Sequence, residues 1–184
     1  MEKKEYFSQH TIEKKSKKML EKLKSLGLSH DDLSFNIHES ALLVLDVQQY
    51  FFSAKSHAFI PSSQAIIPNI IKLINLFHSQ GRPIYFSKHS NDHISAGMMS
   101  IWWKNLLKSN SDDARLINMI DQGKGVLIPK ERYDAFWKTP LNDLLLKDGV
   151  KQVVISGVMT HLCCETTARS AFIHDYQVFF TIDG

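Results

Sequence analysis

Cysteine is scarce: the 184-residue chain has two, and they are neighbours, Cys163 and Cys164. Adjacent cysteines very rarely bridge, so a disulfide scaffold is excluded and a reducing, cytoplasmic setting is expected. Glycine (8) and proline (5) are also few, which excludes collagen-like and low-complexity architectures. No apolar run approaches the roughly 20 residues that cross a bilayer, and the opening Met1-Glu-Lys-Lys-Glu-Tyr6 has no apolar stretch of the kind a secretion signal needs. Neither sign of charge dominates. A net charge of +3 is too small to argue for nucleic acid as a partner, and no membrane partner is expected. What remains is an ordinary globular composition, 43% hydrophobic and 22% charged. A chain of this length can bury about 70% of its unfolded surface without disulfide or metal staples.

The positive charge is concentrated at the start. Residues 1–24 hold eight lysines and four glutamates, a local balance of +4, which leaves −1 for residues 25–184. Ile12, Met19, Leu23 and Leu26 fall on one helical face, and Gly27 follows as a C-cap. This predicts an amphipathic helix packed on the domain with its lysines in solvent. The interleaved glutamates argue against an anionic surface as its partner. Residues 1–40 therefore read as a helix plus the polar connector Ser29–Ser40, ahead of a separate domain over 41–184.

From Ala41 the pattern alternates. Ala41–Leu45 is a continuous apolar run, the signature of a strand buried on both faces. Ile66, Ile67, Ile70, Ile71, Ile74 and Phe77 keep helical spacing until Gly81-Arg-Pro83. Pro83–Ser87, Val126–Ile128, Gln152–Ser156 and Tyr176–Ile182 read as four further strands, with a helix beginning near Leu162. Strands separated by helical crossovers predict a mainly parallel sheet of at least five strands with helices on both faces, an α/β class. Ligands of such sheets bind beyond the carboxyl ends of the strands. The polar residues at those ends are Asp46, Lys88 and His89, Lys130, and the stretch Gly157–Cys164.

An acid, an amine and a thiol in one crevice form a coherent chemical set. A cation and a helix N-terminus both stabilise a thiolate, and Asp46 could take the thiol proton and return it to a leaving group. On that reasoning Cys163 is expected to titrate well below a free cysteine and to alkylate quickly. Each residue alone also fits a structural role: Cys163 as a buried core thiol, Asp46 as a turn cap, Lys130 as a loop lysine after Pro129.

Three stretches carry a resemblance. Leu43–Phe51, Lys130–Phe136 and Gly157–Ala168 look like the signature segments of the isochorismatase-like cysteine hydrolase superfamily, in the same order and with similar spacing. The resemblance implies a three-layer α/β/α Rossmann-like fold and an Asp46, Lys130, Cys163 triad. It implies a non-proline cis peptide just before Met159, with the Met159 and Cys163 amides forming an oxyanion hole. It places Cys164 in helix packing. It also implies a homo-oligomer, dimer or tetramer, with Trp102, Trp103 and the basic helix as candidate contacts. The family usually continues beyond Asp183-Gly184 with further closing elements, which this sequence does not contain.

Two branches of the superfamily compete, beside a third reading in which the fold is kept and catalytic activity is lost. Amidase-type members use the cysteine to form a thioester with loss of ammonia or an amine. Isochorismatases cleave a vinyl ether with the aspartate as acid and carry glycine in place of the cysteine. His161-Leu162, Thr166–Ala168 and Arg132–Phe136 look closer to the second branch, but Cys163 is present, which favours hydrolysis of a small amide, carbamoyl or related C–N bond. Nicotinamidases also bind a metal through an Asp-x-His element. That element is missing here, and His57, His89 and His93 do not close a ligand set, so neither a metal nor another cofactor is expected. Phe51, His89, Trp103, Tyr133, Phe136 and Thr160 are the expected substrate contacts, and Trp102-Trp103 is expected to form an aromatic lid over the pocket.

Overall fold

The computed structural model describes residues 3–28, 33–103 and 105–184. Five strands form one sheet in the order β3-β2-β1-β4-β5, and every neighbouring pair is parallel. They are β1 (Ser40–Leu45), β2 (Ile84–His89), β3 (Val126–Lys130), β4 (Gln152–Gly157) and β5 (Gln177–Phe180). The helices are α1 (Ile12–Ser25), α2 (Gln49–Phe52), α3 (Ser63–Ser79), α4 (Met98–Trp102), α5 (Leu141–Lys147) and α6 (Glu165–Ile173). The predicted α/β class and the strand count are as the apolar runs indicated. The last strand is shorter than Tyr176–Ile182, and Tyr176 packs in the core just before it.

Strand periodicity divides the core in two. Leu42 and Val44 of β1 point toward Ile67, Ile70, Ile74 and Phe77 of α3. Ala41, Leu43 and Leu45 point the other way, toward Leu141 and Leu145 of α5 and Ala171 of α6. The sheet is thus the middle of three layers, and β1 is buried along its whole length because it is covered on both sides.

Strand order changes sense at β1: β2 and β3 lie on one side of it, β4 and β5 on the other. A crevice therefore opens beyond the carboxyl ends of β1 and β4, where crossovers leave in opposite directions. Close approach at this point needs Gly157. Its φ is +119°, and a Cβ there would sit 2.1 Å from the Leu45 carbonyl oxygen.

Helix α1 ends as predicted. Gly27 has φ +66°, its amide donates to Lys24 and the Leu28 amide donates to Leu23, which is a Schellman cap. Its apolar face is only partly used. Ile12 and Ser16 are buried, whereas Leu23 is 41% and Leu26 60% exposed. Of the connector, Ser29–Asp32 lie outside the described residues, and residues 37–39 make a single 3-10 turn before β1. Among the described residues no helix is long and apolar enough to cross a membrane.

Candidate active site

Asp46 is the first residue after β1 and is fully buried. Its φ of +50° is the left-handed conformation that aspartate tolerates better than most residues. Ser87, from the neighbouring strand β2, holds it twice. The Ser87 hydroxyl donates to Oδ1 at 2.6 Å, and the Asp46 amide donates back to Ser87 Oγ at 3.1 Å. The second carboxylate oxygen lies 2.7 Å from Nζ of Lys130.

Lys130 ends β3 and is likewise buried. Its ammonium donates to the Arg132 carbonyl at 2.9 Å and the Tyr133 carbonyl at 3.3 Å, and it lies 3.4 Å from Sγ of Cys163. A buried ammonium is tolerated only when its hydrogens are matched in this way. Burial by itself would lower the Lys130 pKa, but the adjoining Asp46 carboxylate more than offsets it and the group is held cationic. Burial would raise Asp46, but the Lys130 ammonium and the Cys163 thiol hold its carboxyl below the usual range.

Cys163 follows β4 through a turn that begins with a cis Val158–Met159 peptide, as the resemblance implied. The chain then makes one π-helical turn, Thr160–Cys164, before α6 starts at Glu165 rather than near Leu162. Among the described residues no group accepts a hydrogen bond from the Met159 amide. The thiol is not the depressed one that its neighbourhood suggested. Burial, reinforced by the Asp46 carboxylate, raises the Cys163 pKa well above the ordinary value, and the Lys130 cation offsets only part of this. In sequence the cation and the helix were visible, but the depth of burial and the nearness of the carboxylate were not. Cys164 packs beneath α6 in the second core layer, as expected.

Cys163 lines the floor of a cavity of about 250 Å³, with Lys130 in contact with its sulfur and Asp46 beside Lys130, both buried behind that floor. Of the expected contacts, Phe51, His89, Trp103 and Tyr133 line it, with Met159 and Cys163 at its base. The indole nitrogen of Trp103 donates to the Tyr133 hydroxyl at 2.6 Å, which ties the end of α4 to the loop after β3 at the cavity wall. Trp102, its neighbour, turns outward and is 75% exposed, so only one of the expected pair of lid tryptophans covers the cavity.

Two expected contacts lie elsewhere. Phe136 stacks on His174 and Tyr176 in the core between α5 and α6, because the loop after Lys130 turns its ring away from the cavity. Thr160 is exposed and faces a separate groove between α1 and the end of β5, since the π-helical turn directs Cys163, not Thr160, at the crevice.

Other participants carry no obvious mark in the sequence. Gln48 is fully buried, accepts from the His89 amide at 2.9 Å and donates to the His89 and Ala114 carbonyls. Tyr50, His57 and Asn91 also line the cavity. Residues in loops and in a helix of a single turn, such as these, have no periodicity to betray them. Gln48 had no distinguishing signal, since the sequence pairs it with Gln49 in the stretch just after Asp46.

Burial, with the nearby Lys130 ammonium, pushes His89 down to about 4, so its ring is neutral at pH 7. Its Nδ1 and the Oδ1 of Asn91 are buried without a hydrogen-bond partner of ordinary geometry among the described residues. These groups do not fit a metal. Where a carboxylate would be needed beside the histidine stands the Asn91 amide, and His57 is tied to the Tyr50 hydroxyl at 3.0 Å. Among the described residues no three His, Cys, Asp or Glu side chains are grouped to hold an ion.

Comparison with known proteins gives a consistent picture. Residues 40–184 match the family model described as the Isochorismatase domain. The chain is 36% identical over 153 residues to Nicotinamidase 3 of Arabidopsis thaliana, covering 79% of this chain and 72% of that one. It is 28% identical over 150 residues to the Isochorismatase of Bacillus subtilis, covering 80% of this chain and 48% of that protein, about half its length. A solved cysteine hydrolase from Pseudomonas syringae pv. phaseolicola superposes with a TM-score of 0.79 at 25% identity, over 83% of this chain and 74% of that chain.

Proposed function

This chain belongs to the isochorismatase family of hydrolases, and from that premise we propose that it hydrolyses a small amide, carbamoyl or related C–N bond through a thioester on Cys163. The observation that carries the reading is the contact chain at the cavity floor: Asp46 to Lys130 at 2.7 Å and Lys130 to Cys163 Sγ at 3.4 Å.

The raised thiol pKa sets the order of events. The resting enzyme holds S–H rather than thiolate, so the proton must leave as the sulfur attacks. Asp46 accepts it while Sγ bonds to the substrate carbonyl carbon. The carbonyl oxygen becomes an oxyanion within reach of the unengaged Met159 amide and of the Cys163 amide. As the C–N bond breaks, Asp46 returns the proton to the departing amine or ammonia. Water then attacks the thioester with Asp46 again taking a proton, and as the acid product forms Sγ leaves and takes that proton back from Asp46, which restores the thiol and the carboxylate. Lys130 stays charged throughout. It orients the carboxylate and limits repulsion between that group and the developing negative charge on sulfur.

Mass spectrometry of the protein quenched during turnover of an amide panel tests this directly. The expected result is an acyl adduct on the peptide containing Cys163, together with ammonia release that Cys163→Ala abolishes. Turnover of isochorismate that survives Cys163→Ala but not Asp46→Ala would replace this reading with vinyl-ether hydrolysis.

A further inference from the structure

The N-terminal arm reaches the cavity although it precedes the family-matched residues 40–184. The wall of the cavity between α2 and α3 is an irregular loop, residues 53–62, and the arm is fastened along it. The Tyr6 and Phe7 amides both donate to the Ser62 hydroxyl, at 2.8 and 2.9 Å. The Lys3 ammonium donates to the His57 carbonyl at 2.6 Å and the Phe59 carbonyl at 2.8 Å. Lys3 lines the same cavity as Cys163, together with Tyr50, His57 and Ala58.

Charge makes this placement consequential. Among the described residues lining the cavity there is no aspartate or glutamate. At the floor the Asp46 carboxylate is already matched by Lys130, and His89 is neutral at pH 7. Among the described residues Lys3 is therefore the one unopposed charge on the cavity wall. Two of its three N–H groups are taken by carbonyl oxygens, which leaves one for a ligand. A cation in a concave site with apolar walls raises the local concentration of anions and favours those that place an acceptor beside it.

We propose that Lys3 is a specificity-determining residue: it selects substrates that carry a carboxylate at the end opposite the bond cleaved at Cys163. The inference rests on the amide reading only for which end of the substrate faces the sulfur. The selection of an anion by Lys3 stands on the arm and the cavity.

The test uses the full chain and two probes of matched shape, 4-carbamoylbenzoate and 4-methylbenzamide. Binding is measured on Cys163→Ala protein by tryptophan fluorescence and calorimetry, and turnover on the parent protein by ammonia release. The carboxylate is expected to bind about tenfold more tightly than the neutral amide, and Lys3→Met to reduce that ratio to near one. Lys3→Arg should keep the preference, and high salt should weaken it. Ser62→Ala loosens the arm but leaves Lys3 its bonds to the His57 and Phe59 carbonyls, and should lower the ratio only part-way. Equal binding of the two probes, no binding of the carboxylate, or a ratio that Lys3→Met leaves intact overturns the proposal. So does Ser62→Ala acting as strongly as Lys3→Met, which would make the arm a strap and not a selector. A carboxylate preference without ammonia release from either probe would instead sink the amide reading and leave the Lys3 inference standing.

Discussion

The floor and the rim of the cavity are built differently. At the floor, Asp46, Lys130 and Cys163 sit on or beside the carboxyl ends of three strands and are almost fully buried. They are held by backbone carbonyls, by Ser87 and by one another. At the rim, Lys3, His57, Met99, Trp103 and Tyr133 come from an arm, a loop, a short helix and another loop. The difference teaches where each property is decided. A parallel sheet fixes the reacting groups to a shared frame, while the segments that meet the rest of the substrate are free to vary without disturbing that frame.

Substitutions at the floor should act on kcat, and those at the rim on KM. The largest effect is expected from Asp46→Asn, which keeps shape but removes the base: kcat should fall about 10³–10⁴-fold, measured by steady-state ammonia release. A smaller fall than that of any rim variant would break the comparison. Next is Lys130→Ala, which leaves Asp46 buried without its cation and should cost about 3–5 kcal/mol of folding stability by urea denaturation.

The acid dependence follows from the same pair. Asp46 is held below the ordinary carboxyl range in the folded protein, so the unfolded chain binds its proton first as pH falls. Stability from this group is present above about pH 4 and is lost as pH drops toward the folded value. Wild type should therefore lose more stability on acidification than Asp46→Asn. At the other end of the scale, iodoacetamide should alkylate Cys163 of the free enzyme with a midpoint above that of an ordinary thiol, about 8.5, because burial and Asp46 oppose its ionisation. A midpoint below it would restore the thiolate expected from the sequence. The smallest effect belongs to the rim. Tyr133→Phe removes the acceptor of Trp103 and should raise KM a few-fold, about 1 kcal/mol, with little change in kcat.

The same division explains what could be read from the sequence. Strand ends were legible because continuous apolar runs mark buried parallel strands, and the residue after each run has a predictable place. That put Asp46, Lys130 and the stretch Gly157–Cys164 at one edge of the sheet, and the family resemblance then singled out Cys163 and the triad. Side-chain direction within loops has no such rule. Phe136 and Thr160 were assigned to the pocket by proximity in sequence to Lys130 and Cys163, yet a loop turn and a π-helical turn send them elsewhere. Lys3 was counted only as part of a basic helix, since nothing in sequence brings residue 3 beside residue 57. The α1 stripe was found correctly, but periodicity shows only which side is apolar, not how much of it is covered.

Tyr133 belongs to both halves. Its hydroxyl receives the indole of Trp103 and its carbonyl receives the ammonium of Lys130. One residue thus anchors both the doorway, through its hydroxyl, and the lysine below, through its backbone, so replacing its side chain alters the first while the peptide contact to the second remains.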